Sequence, residues 1–198
     1  TEEVDGREYT SFYPAEYPQA ADGNSEEVFM ELRALAGHPN TVAIGEIGLD
    51  YYWVKDAKAR ACQRFFFRKQ LELARELDLP VIVHSRDAAE DTMNIMHEAC
   101  AEGTRAVIHA YAYSLEQAQM YIDMGCYIGV GGVVTFRNAK KLHKVVSDIP
   151  LDRILVETDC PYMGPEPYRG MRNDSGYLPY IVKRIAELKG YTEYRVME

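Results

Sequence analysis

Short apolar runs that each lead into a possible metal ligand constrain the fold of this chain more than any other feature. Four such runs occur: VAI leads into Glu46, VIV into His84, AVI into His109, and ILV into Asp159. Runs of this length are typical of strands that are buried on both faces of a parallel sheet. A carboxylate at the end of such a strand is costly to bury unless a cation or hydrogen bonds compensate it. These four positions are therefore the first candidates for chemistry.

Segments with helical periodicity separate the strands. The strongest is Asp56–Leu79, which Pro80 ends, and further helices are expected after Asp87, Ser114 and Asn138. The expected inward-facing residues are Phe67, Leu71, Ala74 and Leu77 in the helix over 56–79, and Val28, Leu32 and Leu35 in an earlier helix capped by Ser25. This alternation of strand and helix predicts a parallel sheet with right-handed crossovers.

Every polar candidate follows the carboxyl end of a strand, which favours an α/β fold of the TIM-type (β/α) barrel class. An open doubly wound sheet is the alternative, but its G-x-G-x-x-G loop is not found in the sequence. Six strands are expected: the four above, Tyr9–Tyr13, and a glycine-interrupted strand over Tyr127–Phe136. We expect residues 1–198 to form a single barrel domain that lacks the first strand or strands and the end of the last helix.

Composition narrows the function. The formal net charge of −9 argues against a protein that coats nucleic acid without specificity, although local arginines or bound cations can still handle phosphates. The four cysteines form no C-x-x-C pair, so we expect reduced thiols and a cytoplasmic protein. No apolar run approaches the roughly 20 residues of a membrane span, and no signal peptide is expected.

Two imidazoles and two carboxylates are a ligand set for zinc, manganese or a similar divalent ion. Taken singly, each has a simpler interpretation: a lone histidine is usually a hydrogen-bonded core residue, and Asp159 could cap a helix or stabilise a turn. The agreement of strand end and ligand type at Glu46, His84, His109 and Asp159 favours a joint metal site. Since a carboxylate can bridge two ions, a two-ion centre for phosphoester hydrolysis is one possibility.

The motifs GEIGLDYYW, VIVHSRDA, VIHAY, GVGGVVTF, ILVETDCPYMGP and YRGMRN together resemble those of the TatD family of metal-dependent deoxyribonucleases, over about Thr41–Arg195. The resemblance implies a TIM-barrel hydrolase in which Glu46 is shared by two ions and His84 and His109 bind the second ion. Asp159 would bind the first ion and help to position or deprotonate the attacking water. It also implies DNA as the substrate, often with cleavage from a 3′ end.

The sequence departs from the family pattern at several positions. The His-x-His pair that completes the first metal site is not present. The usual His-Pro is replaced by Tyr13-Pro14, the usual Cys-Phe by Ala110-Tyr111, and the serine after the catalytic aspartate by Cys160. These replacements leave the substrate open.

Arg86, Arg169 and Arg172 are the candidates for phosphate binding, because a guanidinium can hold two oxygens at once. Surface salt bridges are the simpler role for these side chains. Tyr51 and Trp53 could stack on nucleobases or could pack in the core.

The sequence therefore predicts a cytoplasmic hydrolase that uses divalent ions (Mg, Mn or Zn) and cleaves single-stranded DNA or 3′ ends, without a membrane partner. The catalytic residues would be Glu46 and Asp159. A small-molecule amidohydrolase or lactonase and a degenerate, non-catalytic barrel are the alternatives.

Overall fold

The structure is a computed structural model and describes residues 2–4, 7–9 and 25–198. Strands β1 (Glu2–Val4) and β2 (Arg7–Tyr9) pair in antiparallel fashion, with Val4 opposite Arg7. The predicted strand Tyr9–Tyr13 overlaps β2 only at Tyr9, and its remainder lies outside the described residues, as does Tyr13-Pro14. The chain divides into two compact units, Tyr13–Ile108 and Thr1–Phe12 together with His109–Glu198. The expectation of one barrel domain over residues 1–198 stays a prediction.

The unit Tyr13–Ile108 contains three neighbouring parallel strands, in the order β3 (Ile44–Asp50), β4 (Val81–Arg86) and β5 (Ala106–Ile108). Its elements are α1 (Ser25–Ala36), β3 (Ile44–Asp50), α2 (Ala57–Glu76), β4 (Val81–Arg86), α3 (Ala89–Ala101) and β5 (Ala106–Ile108). In the register of β3 and β4, Gly48 is opposite His84 and Asp50 is opposite Arg86. The carboxyl ends of these two strands therefore carry three of the chemically interesting side chains next to one another.

Helix α2 forms as the sequence predicts. The Asp56 carboxylate caps it by accepting a hydrogen bond from the Ala59 backbone N–H at 2.7 Å. Of the predicted inward stripe, Phe67, Leu71 and Ala74 are buried, and the last residue, Leu77, is half-buried at the C-cap.

The predicted inward face of α1 is wrong at Val28 and Leu35, whereas Leu32 is half-buried. Val28 and Leu35 are exposed, whereas Phe29 stacks on Phe66 of α2 with ring centroids 5.5 Å apart, and Ala36 is buried. The large aromatic contact rotates the helix by about one residue from the face that aliphatic spacing alone selects.

The unit that contains His109–Glu198 has a parallel pair of strands, in which Ile128 is opposite Ile154 and Val130 is opposite Val156. Its elements are α4 (Leu115–Asp123), β6 (Tyr127–Val130), α5 (Lys140–Asp148), β7 (Ile154–Val156), α6 (Leu178–Lys189) and α7 (Glu193–Met197). Ser114 and Thr192 cap α4 and α7, as expected. Glycine ends α6, because Gly190 adopts φ +69°.

The predicted strand Tyr127–Phe136 ends at Val130, and Gly132–Thr135 form a 3₁₀ turn. A side chain at Gly132 would collide with the Met163 carbonyl oxygen, so the chain passes here only as glycine. The strand is therefore shorter than its apolar content suggests. Within residues 2–4, 7–9 and 25–198, no helix has the length and apolar character that crossing a bilayer requires.

Candidate metal centre

The first candidate cluster surrounds His84. The prediction that Glu46 and His84 end their strands is wrong, because β3 continues to Asp50 and β4 continues to Arg86. The His84 Nε2 atom lies 3.2 Å from Asp50 Oδ2, and the Nδ1 atom on the other side of the ring lies 3.6 Å from Glu46 Oε2. The Asp50 side chain is 10 % exposed, whereas that of Glu46 is 46 % exposed. The imidazole is thus placed between one buried carboxylate and one that faces solvent.

The hydrogen bonds of Asp50 decide which nitrogen of His84 carries the proton. Asp50 Oδ1 accepts from the backbone N–H groups of Tyr52 (2.9 Å) and Trp53 (3.2 Å). An ionised carboxylate only accepts, so the contact between Asp50 and Nε2 requires a proton on Nε2. The Nδ1 lone pair then points toward Glu46, which also only accepts.

The second candidate cluster surrounds His109, in the residue after β5. The His109 side chain is buried, with Nδ1 2.8 Å from Glu157 Oε2 and Nε2 3.5 Å from Asp159 Oδ1. The other Glu157 oxygen accepts the Ala110 N–H at 2.6 Å. By the same reasoning, Glu157 holds the proton on Nδ1 and leaves the Nε2 lone pair directed toward Asp159.

Glycines make room for both clusters. A Cβ atom at Gly129 would lie 2.6 Å from the Glu157 carboxylate. This carboxylate therefore occupies space that the side chain of any residue other than glycine at position 129 would fill. Gly48 has φ +142°, and a side chain there would collide with the His84 carbonyl oxygen. The glycines of GEIGLD and YIGVGG therefore help to position His84 and Glu157.

The donor sets fit divalent cations. In each cluster a nitrogen lone pair faces a carboxylate oxygen, at 3.6 Å for His84 and Glu46 and at 3.5 Å for His109 and Asp159. Two facing acceptors repel one another unless a cation, or a second proton on the ring, lies between them. Ligand atoms about 2.1 Å from a tetrahedral ion are about 3.4 Å apart, close to both separations. Asp50 and Glu157 then take the place of the carboxylates that orient metal-binding histidines in proteins.

Within the unit Tyr13–Ile108 the structure brings Glu46 next to His84, and within the other unit it brings His109 next to Asp159. Sequence reasoning did not select Asp50 and Glu157. Glu157 directly follows the apolar run of β7, so its position at a strand end was a usable signal. For Asp50 the signal was weaker, because it stands four residues beyond Glu46 in a strand whose length the short apolar run did not reveal.

Two of the three predicted phosphate-binding arginines stack on aromatic rings. The Arg86 guanidinium lies 3.9 Å from the Tyr52 ring centroid, and that of Arg169 lies 4.2 Å from the Phe136 ring centroid. Arg172 is exposed in the loop after β7, between Arg169 and the buried Asn173. Phosphate binding by these arginines stays a prediction.

Of the two roles left open for Tyr51, the structure supports packing in the core. Tyr51 is buried, and its hydroxyl donates to Asp91 Oδ2 at 2.5 Å while accepting from Arg64 at 2.8 Å. Burial, and then the bond to Asp91, raise the pKa of this phenol. Tyr51 is therefore a packing residue, and the exposed neighbours are Tyr52 and Trp53.

Comparison with known proteins identifies the family. The family profile described as TatD related DNase matches residues 9–198. This chain belongs to the TatD family of metal-dependent hydrolases. The resemblance inferred from the sequence motifs is thereby confirmed.

Curated TatD-family relatives are longer than this chain. The uncharacterized metal-dependent hydrolase YabD of Bacillus subtilis is 44 % identical over 187 residues, which cover 93 % of this chain and 72 % of the relative. The uncharacterized metal-dependent hydrolase YcfH of Escherichia coli K12 is 42 % identical over 160 residues, which cover 81 % of this chain and 60 % of the relative. A Rahnella relative named 3′-5′ ssDNA/RNA exonuclease TatD is 34 % identical over 179 residues, covering 88 % of this chain and 67 % of the relative.

A solved structure supports the fold class. The crystal structure of YJJV, a TatD homologue from Escherichia coli K12, matches with a TM-score of 0.79 at 32 % identity, covering 87 % of this chain and 66 % of that chain. The predicted α/β fold of the TIM-barrel type is therefore confirmed.

Proposed function

We propose that this TatD-family chain belongs to a hydrolase that uses divalent ions to cleave DNA phosphodiester bonds, acting on single strands or 3′ ends. The observation that supports it best is that His84 and His109 each lie between two carboxylates. Each imidazole is oriented by a buried carboxylate and turns its lone pair toward a more exposed one. The name of the Rahnella relative, a 3′-5′ ssDNA/RNA exonuclease, favours nucleic acid as the substrate class.

In this proposal the residues that hold the ions are Glu46, His84, His109 and Asp159. Mg, Mn and Zn all fit a set of imidazole and carboxylate ligands. The His-x-His pair expected for the first ion is not in this sequence, so that ion would need ligands besides those named here.

Bound divalent ions supply a more acidic water and neutralise charge that develops at the phosphorus. Asp159 accepts a proton from the attacking water. The water oxygen bonds to phosphorus as the bond between phosphorus and the leaving sugar oxygen breaks. Asp50 and Glu157 do not touch the substrate; they keep the histidine lone pairs correctly directed. Arg86, Arg169 and Arg172 hold non-bridging phosphate oxygens.

Four cysteines in the thiol form, all within residues 25–198, fit the expected cytoplasmic location, which stays a prediction. The chain spans 60 % of YcfH and 72 % of YabD, so the activity of the whole protein is part of the proposal.

Hydrolysis of a 5′-labelled single-stranded oligonucleotide with Mg²⁺, Mn²⁺ or Zn²⁺ tests the proposal. We expect ladders of shortened products that EDTA abolishes and that Asp159→Asn reduces by about 100-fold or more. His97→Gln, a change of an exposed histidine on α3, is the matched control and should leave the rate unchanged. Absence of cleavage with every metal, alongside turnover of lactones or amides, would replace the nuclease proposal by a small-molecule hydrolase.

A further inference from the structure

We infer that the turn after β3 carries a stacking platform for the unpaired nucleobases of a single strand, formed by Tyr52, Trp53 and Arg86. This inference rests on the proposed nuclease function and adds to it a substrate feature, an unpaired base next to the cleaved phosphate.

The platform is aromatic, cationic and open to solvent. The rings of Tyr52 and Trp53 meet edge to face with centroids 4.7 Å apart, and they are 43 % and 52 % exposed. The Arg86 guanidinium lies 3.9 Å from the Tyr52 centroid and 5.6 Å from that of Trp53. Leaving two large aromatic side chains this exposed costs hydrophobic stabilisation, which a ligand that covers them would recover.

Asp50 fixes the platform relative to the candidate metal ligands. One Asp50 oxygen accepts the backbone N–H groups of Tyr52 and Trp53, and the other lies 3.2 Å from His84 Nε2. Arg86 is opposite Asp50 in the strand register and two residues beyond His84. One carboxylate therefore connects the turn that carries the aromatic rings to the imidazole that would bind metal.

The surrounding charge suits a polyanion even though the chain is acidic overall. Lys55 Nζ lies 5.7 Å from the Tyr52 centroid and donates to the Tyr51 carbonyl oxygen at 2.8 Å, so Arg86 is the cation that stacks on both platform rings. A stacked guanidinium uses its face for the ring and keeps its N–H donors in the plane, directed to the side, where phosphate oxygens can accept them. Aromatic faces beside such donors are the usual combination for single-stranded nucleic acid, since every base offers a face to stack on.

Fluorescence tests the inference directly, because Trp53 is the only tryptophan in the sequence. The protein is titrated with a short oligothymidylate in EDTA, so that nothing is cleaved, and with an abasic strand of the same length. We expect saturable quenching of Trp53 by oligothymidylate and at least about fivefold weaker binding of the abasic strand, as stacking of roughly 1–3 kcal/mol per base implies. Equal binding of the two strands, or no change in fluorescence, would overturn the platform.

Kinetics separate the platform from the nuclease proposal. Trp53→Ala and Tyr52→Ala should raise KM for oligonucleotide cleavage about 5- to 100-fold, while KM for cleavage of the abasic strand, which has no bases to stack, stays unchanged. Tyr194→Ala, which removes an exposed aromatic ring on α7, is the control and should change neither KM. Cleavage with an unaltered KM in the two platform variants would refute the platform and leave the nuclease intact. Base-dependent quenching without any cleavage would keep the platform and refute the nuclease.

Discussion

His84 and His109 have the same kind of neighbours but very different surroundings. Each ring lies between two acids, yet the His84 side chain is 35 % exposed and that of His109 is 8 % exposed. The orienting contact is 3.2 Å to Asp50 for His84 and 2.8 Å to Glu157 for His109. His109 therefore belongs to a tightly held, buried pair, and His84 to a more accessible one.

In the two clusters, an acid orients the histidine ring through different ring nitrogens. With the Nε2 proton of His84 directed at Asp50, the proposed ligand atom of His84 is Nδ1. With the Nδ1 proton of His109 directed at Glu157, the proposed ligand atom of His109 is Nε2. The buried cluster depends on packing and on a glycine, whereas the exposed cluster is tied to the aromatic turn at Tyr52 and Trp53.

Removal of either histidine ring should have the largest effect on activity, and the two removals should differ in their effect on stability. We expect both His109→Ala and His84→Ala to lower metal-dependent activity by about 100-fold or more, because each loses a ligand. Their stabilities should differ. His109→Ala leaves the Glu157 carboxylate without one of its two donors and should cost about 2–3 kcal/mol of unfolding free energy. His84→Ala leaves Asp50 with two backbone donors and should cost less than about 1 kcal/mol.

Urea unfolding of the metal-stripped variants measures this difference. Equal stability losses in His84→Ala and His109→Ala would show that burial does not distinguish the two clusters.

A methyl group at Gly129 should disturb the buried cluster alone. We expect Gly129→Ala to push the Glu157 carboxylate off His109 and to lower the unfolding free energy by about 2 kcal/mol, within the range of overpacking. Gly131→Ala is the matched control, since its Cβ would meet only ordinary contacts at 3.6 Å or more. A Gly129→Ala protein as stable and as active as Gly131→Ala would contradict the place given to Glu157.

Replacing the orienting acids by amides should lower activity by different amounts in the two clusters. Glu157→Gln should lower activity by about 10- to 100-fold. The two Glu157 oxygens contact His109 and the Ala110 N–H, and an amide has only one oxygen that can accept a hydrogen bond. For Asp50→Asn we expect a smaller loss, since one oxygen can still accept the turn's N–H groups and His84 is more exposed. The rates of oligonucleotide cleavage give both values, and a reversed order would contradict the ranking.

Alkaline pH should reveal the smallest difference. Burial raises the pKa of Tyr111, next to the His109 cluster, and of Tyr51, next to Asp50; at Tyr51 the Arg64 guanidinium partly offsets the rise. A raised folded-state pKa stabilises below the unfolded value of about 10 and loses that contribution as pH climbs beyond it. Unfolding free energy should therefore fall above about pH 10, and Tyr111→Phe should flatten that fall more than Tyr51→Phe. Denaturation series at several alkaline pH values check the order.

Much of the fold could be predicted from the sequence because it depends on local patterns. The β-branched run before His84 and the periodic stripe of Phe67 and Leu71 have one reasonable interpretation each. The inward face of α1 could not be predicted, since the contact of Phe29 with Phe66 decides it and joins distant parts of the chain. The burial of Tyr51 and the exposure of Tyr52 could not be predicted either, because the hydrogen bond of Tyr51 to Asp91 joins residues far apart in the sequence.

The candidate site was predictable in its ligand types but not in its supporting acids. Apolar runs marked His84 and His109, whereas Glu157 gains its role from a ring 48 residues away and from the space left by Gly129. Such pairings depend on tertiary distance, which residue spacing does not encode.

The most direct test of the central claim is a crystal structure of the protein soaked with Mn²⁺ or Zn²⁺, with the ions placed by anomalous scattering. We predict ions about 2.0–2.2 Å from Nδ1 of His84 and from Nε2 of His109, with Glu46 and Asp159 completing the contacts. Ions bound through the opposite ring nitrogens, or bound away from both histidines, would contradict the account.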